Sequence, residues 1–354
     1  MANVSLTDSQ AKVLVAMSGG VDSSVTVKLL QEQGYQCVGA TMQLTPITAT
    51  GIADAKAVAD RFGIQHFVVD YREQFAKDVI QPFVTDYCHG QTPNPCVNCN
   101  RRLKFGALLD YALSNGYNYL ATGHYARVEF DGQKYLLKKA LDATKDQSYF
   151  LCYLTQAQLA HILLPLGNYA KTQTRAIAGE NGLLNANKPD SQDICFVPDG
   201  DYVKIVTTQT GQTFPDGDIV DRQGRVLGRH HGIINYTIGQ RRGLGLAVPE
   251  SVYVCEICTE QNTVVVGSNQ DLWQTTLFAK DFNWISGVTP NLPCRCQAKI
   301  RYAHRAQPAT VTIDKDLVQI VFDEPQRAIT PGQTVVLYDG EIVLGGGVIQ
   351  PQQK

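Results

Sequence analysis

The chain has 354 residues, a length that predicts two or three domains of ordinary size. Its 31 basic and 33 acidic residues give a net charge of −2, which excludes a protein that holds nucleic acid by bulk positive charge. No apolar run approaches the ~20 residues of a membrane helix, and no signal peptide is apparent. We therefore expect a cytoplasmic protein without a membrane partner, whose ten cysteines are core residues, reactive thiols or metal ligands and not disulfides.

Apolar runs and amphipathic patterns alternate through the first 125 residues. The predicted strands are residues 12–17, 36–42, 65–70 and 119–122, and the predicted helices are residues 22–33, 52–62, 73–87 and 101–114. This order is typical of a doubly wound, mostly parallel α/β sheet, whose ligands bind beyond the carboxyl ends of the strands. Residues 18–22, Met42 and residues 123–124 fall at those ends.

The pattern changes after residue 125. A β-hairpin is predicted over residues 127–138, followed by helices over residues 156–163 and 172–180. From about residue 201 the predicted segments are short strands, at residues 219–220, 252–257, 263–266, 298–302, 309–313, 319–322, 334–338 and 342–349. We therefore predict an α/β domain over residues 1–200, a small β-rich central domain over residues 201–275 and a C-terminal β-barrel over residues 276–354.

A glycine- and serine-rich turn follows the first predicted strand and opens the first predicted helix. It reads Ser18-Gly19-Gly20-Val21-Asp22-Ser23-Ser24. Glycines let the backbone approach a phosphate closely, and the N–H groups of a helix start attract an anion. Asp22 either orients the loop or holds a cation such as Mg²⁺. The turn lacks the Gly-Lys-Ser/Thr of a Walker A loop. It resembles the PP-loop of the ATP pyrophosphatases, a superfamily of synthetases and tRNA thiolases with an adenine nucleotide alpha hydrolase-like fold.

Two cysteines lie in an irregular segment, Thr92-Pro93-Asn94-Pro95-Cys96-Val97-Asn98-Cys99, just before a predicted helix. At a helix N-terminus the pKa of a thiol such as that of Cys99 falls, which favours the reactive thiolate. A third candidate, Cys195, lies in a polar segment after the α/β region. The Cys-x-x-Cys spacing of Cys96 and Cys99 is compatible with a functional thiol pair and also with two cysteines that are spaced this way by chance.

Further segments extend the resemblance from about residue 12 to the C-terminus. They are Gly123-His124-Tyr125, residues 145–151, Asp193-Ile194-Cys195-Phe196 and residues 236–245. With the PP-loop and the Thr-Pro-Asn-Pro segment, they are similar to the tRNA-specific 2-thiouridylases. That family adenylylates O2 of the wobble uridine of tRNA and replaces this oxygen with sulfur.

The resemblance implies a role for each matching position. ATP, with Mg²⁺, would bind at Ala16, Met17, Ser18, Gly19, Gly20, Val21, Asp22, Ser23, Met42 and Gly123. Cys99 would be the nucleophile and Cys195 would carry the persulfide. The tRNA would be contacted by Asn94, Pro95, Lys145, Asp146, Gln147, Arg301 and Tyr302. A cysteine desulfurase or a sulfur relay protein would supply the sulfur.

One position departs from a well-known version of this pattern, which has Asp where this chain has Cys96. With Cys96, Cys99 and Cys195, the chain offers three soft ligands that suit a [4Fe–4S] cluster with one open iron. The sequence therefore leaves two possible sources of the transferred sulfur: a Cys persulfide, or a hydrosulfide bound to such a cluster. The other enzyme alternative is a PP-loop small-molecule ligase or amidotransferase, and a non-catalytic tRNA-binding protein is the third reading.

The remaining cysteines have weaker claims to function. Cys255, Cys258, Cys294 and Cys296 have the number of thiols for a zinc site, but each pair also fits a strand pattern. Cys37, Cys88 and Cys152 are expected to be packing residues or spectator thiols. His124 fits either a nucleotide contact or a structural histidine. With so little net charge, tRNA would have to meet local basic clusters such as Arg241-Arg242.

Overall fold

The computed structural model describes residues 11–45, 49–183, 185 and 194–352. Its first sheet has five strands in the order β3-β2-β1-β4-β7, all parallel. These strands are β1 (Lys12–Ala16), β2 (Gln36–Gln43), β3 (His66–Asp70), β4 (Tyr119–Ala121) and β7 (Ile162–Leu163). The order places β1 at the centre, where its run Val13-Leu14-Val15 is fully buried, as a parallel sheet covered on both faces requires.

Helices cover both faces of this sheet. Helices α1 (Val21–Glu32) and α2 (Ala49–Arg61) pack on the face that carries Val13 and Val15. A continuous helix packs on the opposite face, against Leu14. It comprises α5 (Pro95–Cys99), a π-helical segment (Asn100–Leu108) and α6 (Leu109–Ser114). The predicted doubly wound sheet is confirmed, because alternate residues of β1 face different helical layers.

Further helices connect and flank these layers. A second mixed helix follows β3 and comprises α3 (Arg72–Phe75), a π-helical segment (Ala76–Ile80) and α4 (Gln81–Cys88). Two others are the short α7 (Gln156–Leu159) and α8 (Lys171–Glu180), which packs beside α1. Short 3₁₀ turns occur at Ser148–Leu151, Pro165–Asn168, Ile233–Asn235 and Asn269–Leu272.

The central region contains a four-stranded sheet in the order β10-β11-β8-β9. The strands are β8 (Gly217–Asp221), β9 (Val226–His230), β10 (Tyr253–Cys258) and β11 (Thr263–Gly267), preceded by helix α9 (Tyr202–Thr210). Apolar residues of this sheet, including Ile219 and Val254, share one core with Phe83 and Tyr87 of α4. The central region is therefore packed directly on the α/β domain.

The C-terminal strands form a closed barrel. Its six strands follow the order β12-β15-β14-β13-β16-β17, and β12 also pairs with β17. They are β12 (Trp273–Trp284), β13 (Cys294–Lys299), β14 (Gln307–Asp314), β15 (Leu317–Arg327), β16 (Thr334–Asp339) and β17 (Ile342–Ile349). The predicted barrel is thus confirmed, and closure removes the sheet edges that would otherwise be open.

The predicted hairpin joins this barrel and not the first sheet. It consists of β5 (Ala126–Phe130) and β6 (Tyr135–Lys139), and Lys138 of β6 pairs with Ile342 of β17. Because chain order does not reveal pairing partners 200 residues apart, the sequence analysis could not assign the hairpin to a sheet.

Three local predictions were wrong. The helix predicted to begin at residue 101 begins at Pro95, since proline is favoured in the first turn of a helix. Residues 162–163, predicted as helical, form β7 at the sheet edge. Residues 301–302, predicted at the end of a strand, lie in the turn after β13. Within the described residues, no helix is both long enough and apolar enough to cross a membrane.

Candidate active site

The glycine- and serine-rich turn lies at the carboxyl end of β1 and starts α1. Gly20 is the N-cap residue of α1 and has no side chain with which to cap the first-turn N–H groups. The hydroxyls of Ser23 and Ser24 donate to the carbonyl of Gly20, at 3.1 and 2.9 Å. The turn is therefore a preformed loop whose helix start suits an anion.

Two positions in this region require glycine, one because of its backbone conformation and one because of a close contact. Gly19 has a φ of +75°, a conformation that glycine adopts without strain. A Cβ at Gly123, after β4, would lie 2.9 Å from the backbone of both Asp22 and Ser23. Gly123 thus holds the end of β4 directly against the start of α1.

Asp22 is bound by residues that the sequence analysis did not assign. Its two carboxylate oxygens accept hydrogen bonds from Nζ of Lys171, at 2.7 and 2.8 Å. The hydroxyl of Tyr125 donates to Oδ1 at 3.0 Å and also contacts the Thr174 hydroxyl at 2.9 Å. Of the two roles considered for Asp22, this geometry fits orientation of the loop.

Lys171 could not be found from the sequence, because it lies 149 positions from Asp22. It is only 8% exposed, a burial that a lysine tolerates when its ammonium is paired. Another unassigned residue, Asn185, donates to the Gly19 carbonyl at 3.1 Å and to the Ser24 hydroxyl at 2.9 Å. Its buried Oδ1 atom has no hydrogen-bond partner among the residues that the structure describes.

The other predicted nucleotide residues line the same end of the sheet. Ala16 ends β1, and the buried Met17 hydrogen-bonds through its N–H to the Ala40 carbonyl at 2.8 Å. Met42, near the end of β2, is partly buried between two apolar cores. Val21 is the first residue of α1 and is buried in an apolar cluster with Val25 and Leu29 of the same helix.

The three candidate thiols lie near one another. Cys96 and Cys195 are exposed, whereas Cys99 is buried, and ionisation of either of the other thiols would raise the pKa of Cys195. The ammonium of Lys104, in the π-helical segment, acts on all three. A cation shared by three thiols is suited to stabilise sulfur anions.

The expected low pKa of Cys99 was wrong. Cys99 is the fifth residue of the helix that begins at Pro95, and desolvation by burial raises the pKa of its thiol, against the opposing charge of Lys104. Although the residues Cys96 and Cys195 reach solvent, the surrounding protein desolvates their thiols, which raises the pKa of Cys96 and raises the pKa of Cys195 to about 11. The free thiols are therefore protonated at neutral pH.

The helix that carries Cys96 and Cys99 approaches the end of β4, which packs against the loop at residues 18–24. His124 directly follows Gly123, and its ring lies 5.7 Å from that of Phe105 on the thiol-bearing helix. Burial and the charge of Lys104 hold the pKa of His124 well below its usual value. Its Nδ1 is 2.7 Å from the Thr122 hydroxyl. His124 thus connects the two halves of the site as a neutral, hydrogen-bonded residue.

A [4Fe–4S] cluster fits the chemistry of the thiols better than their arrangement. Cysteine thiolates are the usual ligands of such a cluster. Among the described residues, however, no three His, Cys, Asp or Glu side chains are grouped so that they could hold a metal ion. This also applies to the four-cysteine zinc hypothesis: Cys255 and Cys258 lie on β10, whereas Cys294 and Cys296 lie on β13 of the barrel.

The predicted tRNA-contacting residues fall into two groups. Asp146 and Gln147 make internal contacts: Asp146 accepts from the N–H of Ala140 at 3.0 Å, and Gln147 Oε1 accepts from the N–H of Tyr125 at 3.0 Å. Asn94 is the N-cap residue of α5 and hydrogen-bonds Tyr149. These residues shape the site from within.

The second group reaches solvent. Tyr302 is 38% exposed and packs its ring 4.5 Å from that of Phe150. Arg301 donates to the Arg327 carbonyl at 3.3 Å, and Lys145 lies in the turn that precedes Asp146. Pro95 belongs instead with the internal group, because it is buried at the start of α5.

The barrel holds the segment that leads into the thiol-bearing helix. The N–H of Thr92 donates to the Pro331 carbonyl at 2.9 Å, and the Gln333 amide donates to the Thr92 carbonyl at 2.8 Å. Gly332, at a φ of +88°, leaves room for this contact. The position of Cys96 and Cys99 therefore depends on the barrel.

Three family profiles match the chain in order. They are the tRNA methyl transferase HUP domain over residues 11–199, the tRNA methyl transferase PRC-barrel domain over residues 205–268 and the aminomethyltransferase beta-barrel domain over residues 274–349. Among solved structures, the U34-tRNA thiolase NcsA from Methanococcus maripaludis with its [4Fe-4S] cluster aligns with 57% of this chain and 65% of its own, at 17% identity and a TM-score of 0.36. A likeness this distant does not bear on the chemistry of the site.

Curated relatives match nearly the whole chain. The tRNA-specific 2-thiouridylase MnmA of Acetivibrio thermocellus is 48% identical over 97% of this chain and 100% of its own length. The protein of the same name from Carboxydothermus hydrogenoformans is 50% identical over 96% of this chain and 97% of its own. Because the similarity includes the α/β domain, the central sheet and the barrel, this chain belongs to the tRNA-specific 2-thiouridylase family.

Proposed function

We propose that this protein is an ATP-dependent sulfurtransferase that forms 2-thiouridine at the wobble position of tRNA in the cytoplasm. The observation that carries the proposal is that Lys104 acts on Cys96, Cys99 and Cys195 and also on His124, which lies next to the glycine- and serine-rich loop at the end of the parallel sheet. Sulfur chemistry suits these thiols, whereas the methyl transfer in the profile descriptions would make no use of them.

In the first step, ATP would bind with Mg²⁺ at the loop of residues 18–23. Mg²⁺ enters such sites largely through phosphate oxygens and water. Asp22, already bound by Lys171 and Tyr125, would orient the loop. The uridine O2 attacks the α-phosphorus, pyrophosphate leaves and the N3 proton is lost, which makes C2 electrophilic.

In the second step, sulfur would replace the activated oxygen. The terminal sulfur of a Cys195 persulfide attacks C2, and AMP leaves. Cys99 then attacks the Cys195 sulfur, so that a Cys99–Cys195 disulfide forms and the sulfur–sulfur bond to the tRNA breaks. The released 2-thiouridine regains its N3 proton. An external thiol must reduce the disulfide before the next turnover, and a cysteine desulfurase or relay protein must restore the persulfide.

Hydrosulfide bound to a [4Fe–4S] cluster on Cys96, Cys99 and Cys195 is the alternative source of sulfur. We derive no step through it, because the described side chains are not grouped as metal ligands.

The test is to measure 2-thiouridine by mass spectrometry in unmodified tRNA. Protein purified without oxygen is incubated with ATP, Mg²⁺ and sulfide, or with a cysteine desulfurase and cysteine, and its iron is counted. With a cysteine desulfurase and cysteine as the source, product without iron supports the persulfide route, because sulfide alone cannot form a persulfide without an oxidant. With sulfide as the source, product in proportion to iron supports the cluster. No product from either sample contradicts the proposal and favours a small-molecule ligase.

Cysteine variants separate the two steps. Cys99→Ser and Cys195→Ser are expected to abolish 2-thiouridine while still releasing pyrophosphate with tRNA. Cys96→Ser should stay active on the persulfide route and become inactive on the cluster route. Cys37→Ser, a change in the core of the same domain, is the control.

A further inference from the structure

The carboxylate of Asp22 accepts hydrogen bonds from side chains of two other segments of the α/β domain. It accepts from Lys171 of α8 at 2.7 and 2.8 Å and from the hydroxyl of Tyr125 at 3.0 Å. The same hydroxyl contacts Thr174 of α8 at 2.9 Å. Lys171 and Tyr125 are 8% and 1% exposed, so water has little access to replace these bonds.

Tyr125 connects Asp22 to the segment of residues 140–148. The N–H of Tyr125 donates to Gln147 Oε1 at 3.0 Å, and its carbonyl accepts from the N–H of Gln147 at 2.8 Å. Gln147 is therefore bound to both backbone groups of the residue whose side chain contacts Asp22.

Lys171 connects Asp22 to the same segment by a second route. The N–H of Lys171 donates to Oδ2 of Asp142 at 3.1 Å. The other oxygen of Asp142 accepts from Thr144, at 2.6 Å from its hydroxyl and at 3.0 Å from its N–H. The N–H of Lys145 donates to the Asp142 carbonyl at 3.0 Å. The turn at residues 142–147 is thus joined to the nucleotide loop at both of its ends.

We propose that Lys171 and Tyr125 are positioning residues that couple ATP binding at residues 18–23 to tRNA binding at Lys145, in the turn at residues 142–147. This inference rests on the proposed function, which supplies the two ligands. A nucleotide that shifts Asp22 must move or break bonds to both positioning residues, and each of these residues is bonded to the 140–148 segment. By linkage, each ligand then changes the affinity of the other by the same factor.

The test measures this factor directly. The Kd of α,β-methylene-ATP with Mg²⁺ is determined with and without a saturating unmodified tRNA transcript, and the Kd of the transcript is determined with and without the analogue. We expect the two ratios to agree at about tenfold in the unaltered protein. In Tyr125→Phe and in Lys171→Met they should fall to within about twofold of one.

Tyr169→Phe is the matched control, because Tyr169 packs in the same apolar cluster as Tyr125. It should keep the full factor, which separates coupling from loss of packing. If Lys171→Met does not fold, Tyr125→Phe alone carries the test, since it removes only one hydroxyl.

Two results would overturn the inference: an unchanged factor in Tyr125→Phe, or a factor of one in an unaltered protein that thiolates tRNA. An unaltered protein that binds ATP but makes no 2-thiouridine contradicts the proposed function instead, so the two failures are distinguishable.

Discussion

At the scale of single residues, the contact between Gly123 and α1 constrains the loop at residues 18–24. A Cβ there would meet the backbone of Asp22 and Ser23 at 2.9 Å, and backbone cannot rotate away as a flexible side chain can. The loop and the end of β4 are therefore fitted to each other.

Gly123→Ala is expected to displace the start of α1. We predict a KM for ATP at least about tenfold higher and a loss of about 1–3 kcal/mol of stability from overpacking. Pyrophosphate release measured against ATP concentration tests the first effect. Gly179→Ala in α8 is the control, because its Cβ would meet nothing within 4 Å. Equal KM values in the two variants would contradict this account.

His124 gives the site a dependence on pH. Its folded-state pKa is lowered by burial, so the unfolded chain binds a proton more readily than the folded one. Stability from the neutral ring is fully present above the unfolded pKa of about 6.5 and is lost as pH falls below it. We expect a contribution of about 1 kcal/mol to disappear between pH 6.5 and 5.5.

Denaturant unfolding at several pH values checks this expectation. His124→Asn should reduce the slope of stability against pH in this window. His231→Asn, at an exposed position, serves as the control. A slope unchanged by His124→Asn would show that His124 is not the group responsible.

At the scale of elements, the thiol-bearing helix is held by a contact from the barrel. Gln333, between β15 and β16, donates from one amide nitrogen to the carbonyls of Thr92 and Pro93, at 2.8 and 3.4 Å. These residues directly precede the helix that begins at Pro95. The barrel thereby fixes the entry of the chain into the site.

Gln333→Ala should release this segment. We expect 2-thiouridine formation to fall between about 10- and 100-fold, because a shift of the thiols by about an ångström suffices for such a loss. Pyrophosphate release should change little, and stability should fall by about 1 kcal/mol. Gln350→Ala, which loses a bond within the barrel only, should leave both activities intact. Parallel losses of thiolation and pyrophosphate release would refute the assignment.

At the scale of the whole molecule, the apolar cores contain residues from more than one of the three regions, which are the α/β domain, the central sheet and the barrel. One core contains Leu14 of β1 together with Val336 and Tyr338 of the barrel. Another joins Phe83 of α4 to Val254 of the central sheet. Residues of different regions therefore lose their packing together.

We predict a single cooperative unfolding transition. Both tryptophans, Trp273 and Trp284, lie on β12 of the barrel, so their fluorescence reports barrel unfolding, whereas far-UV circular dichroism at 222 nm is dominated by the helices. The two denaturant midpoints should coincide. A separate tryptophan transition would show that the barrel unfolds independently.

Local sequence patterns determined much of the secondary structure and the position of the phosphate loop in this protein. The alternation of apolar runs and amphipathic patterns predicted the parallel sheet, because burial on both faces demands apolar strands. The turn at residues 18–24 predicted the phosphate loop, because glycine conformation and helix start are properties of neighbouring residues. The family resemblance of the later segments assigns roles to Cys96, Cys99 and Cys195, and these roles stay predictions.

Only the tertiary structure decided which distant groups meet. Lys171 lies 149 residues from Asp22, and Gln333 lies 241 residues from Thr92, and no local pattern encodes such pairs. The pKa of Cys99 was decided by burial in the folded protein, which outweighs the effect expected from its place near a helix start. Sequence periodicity specifies the elements and their buried faces, whereas ion pairs, desolvation and the assembly of the site depend on how those faces pack.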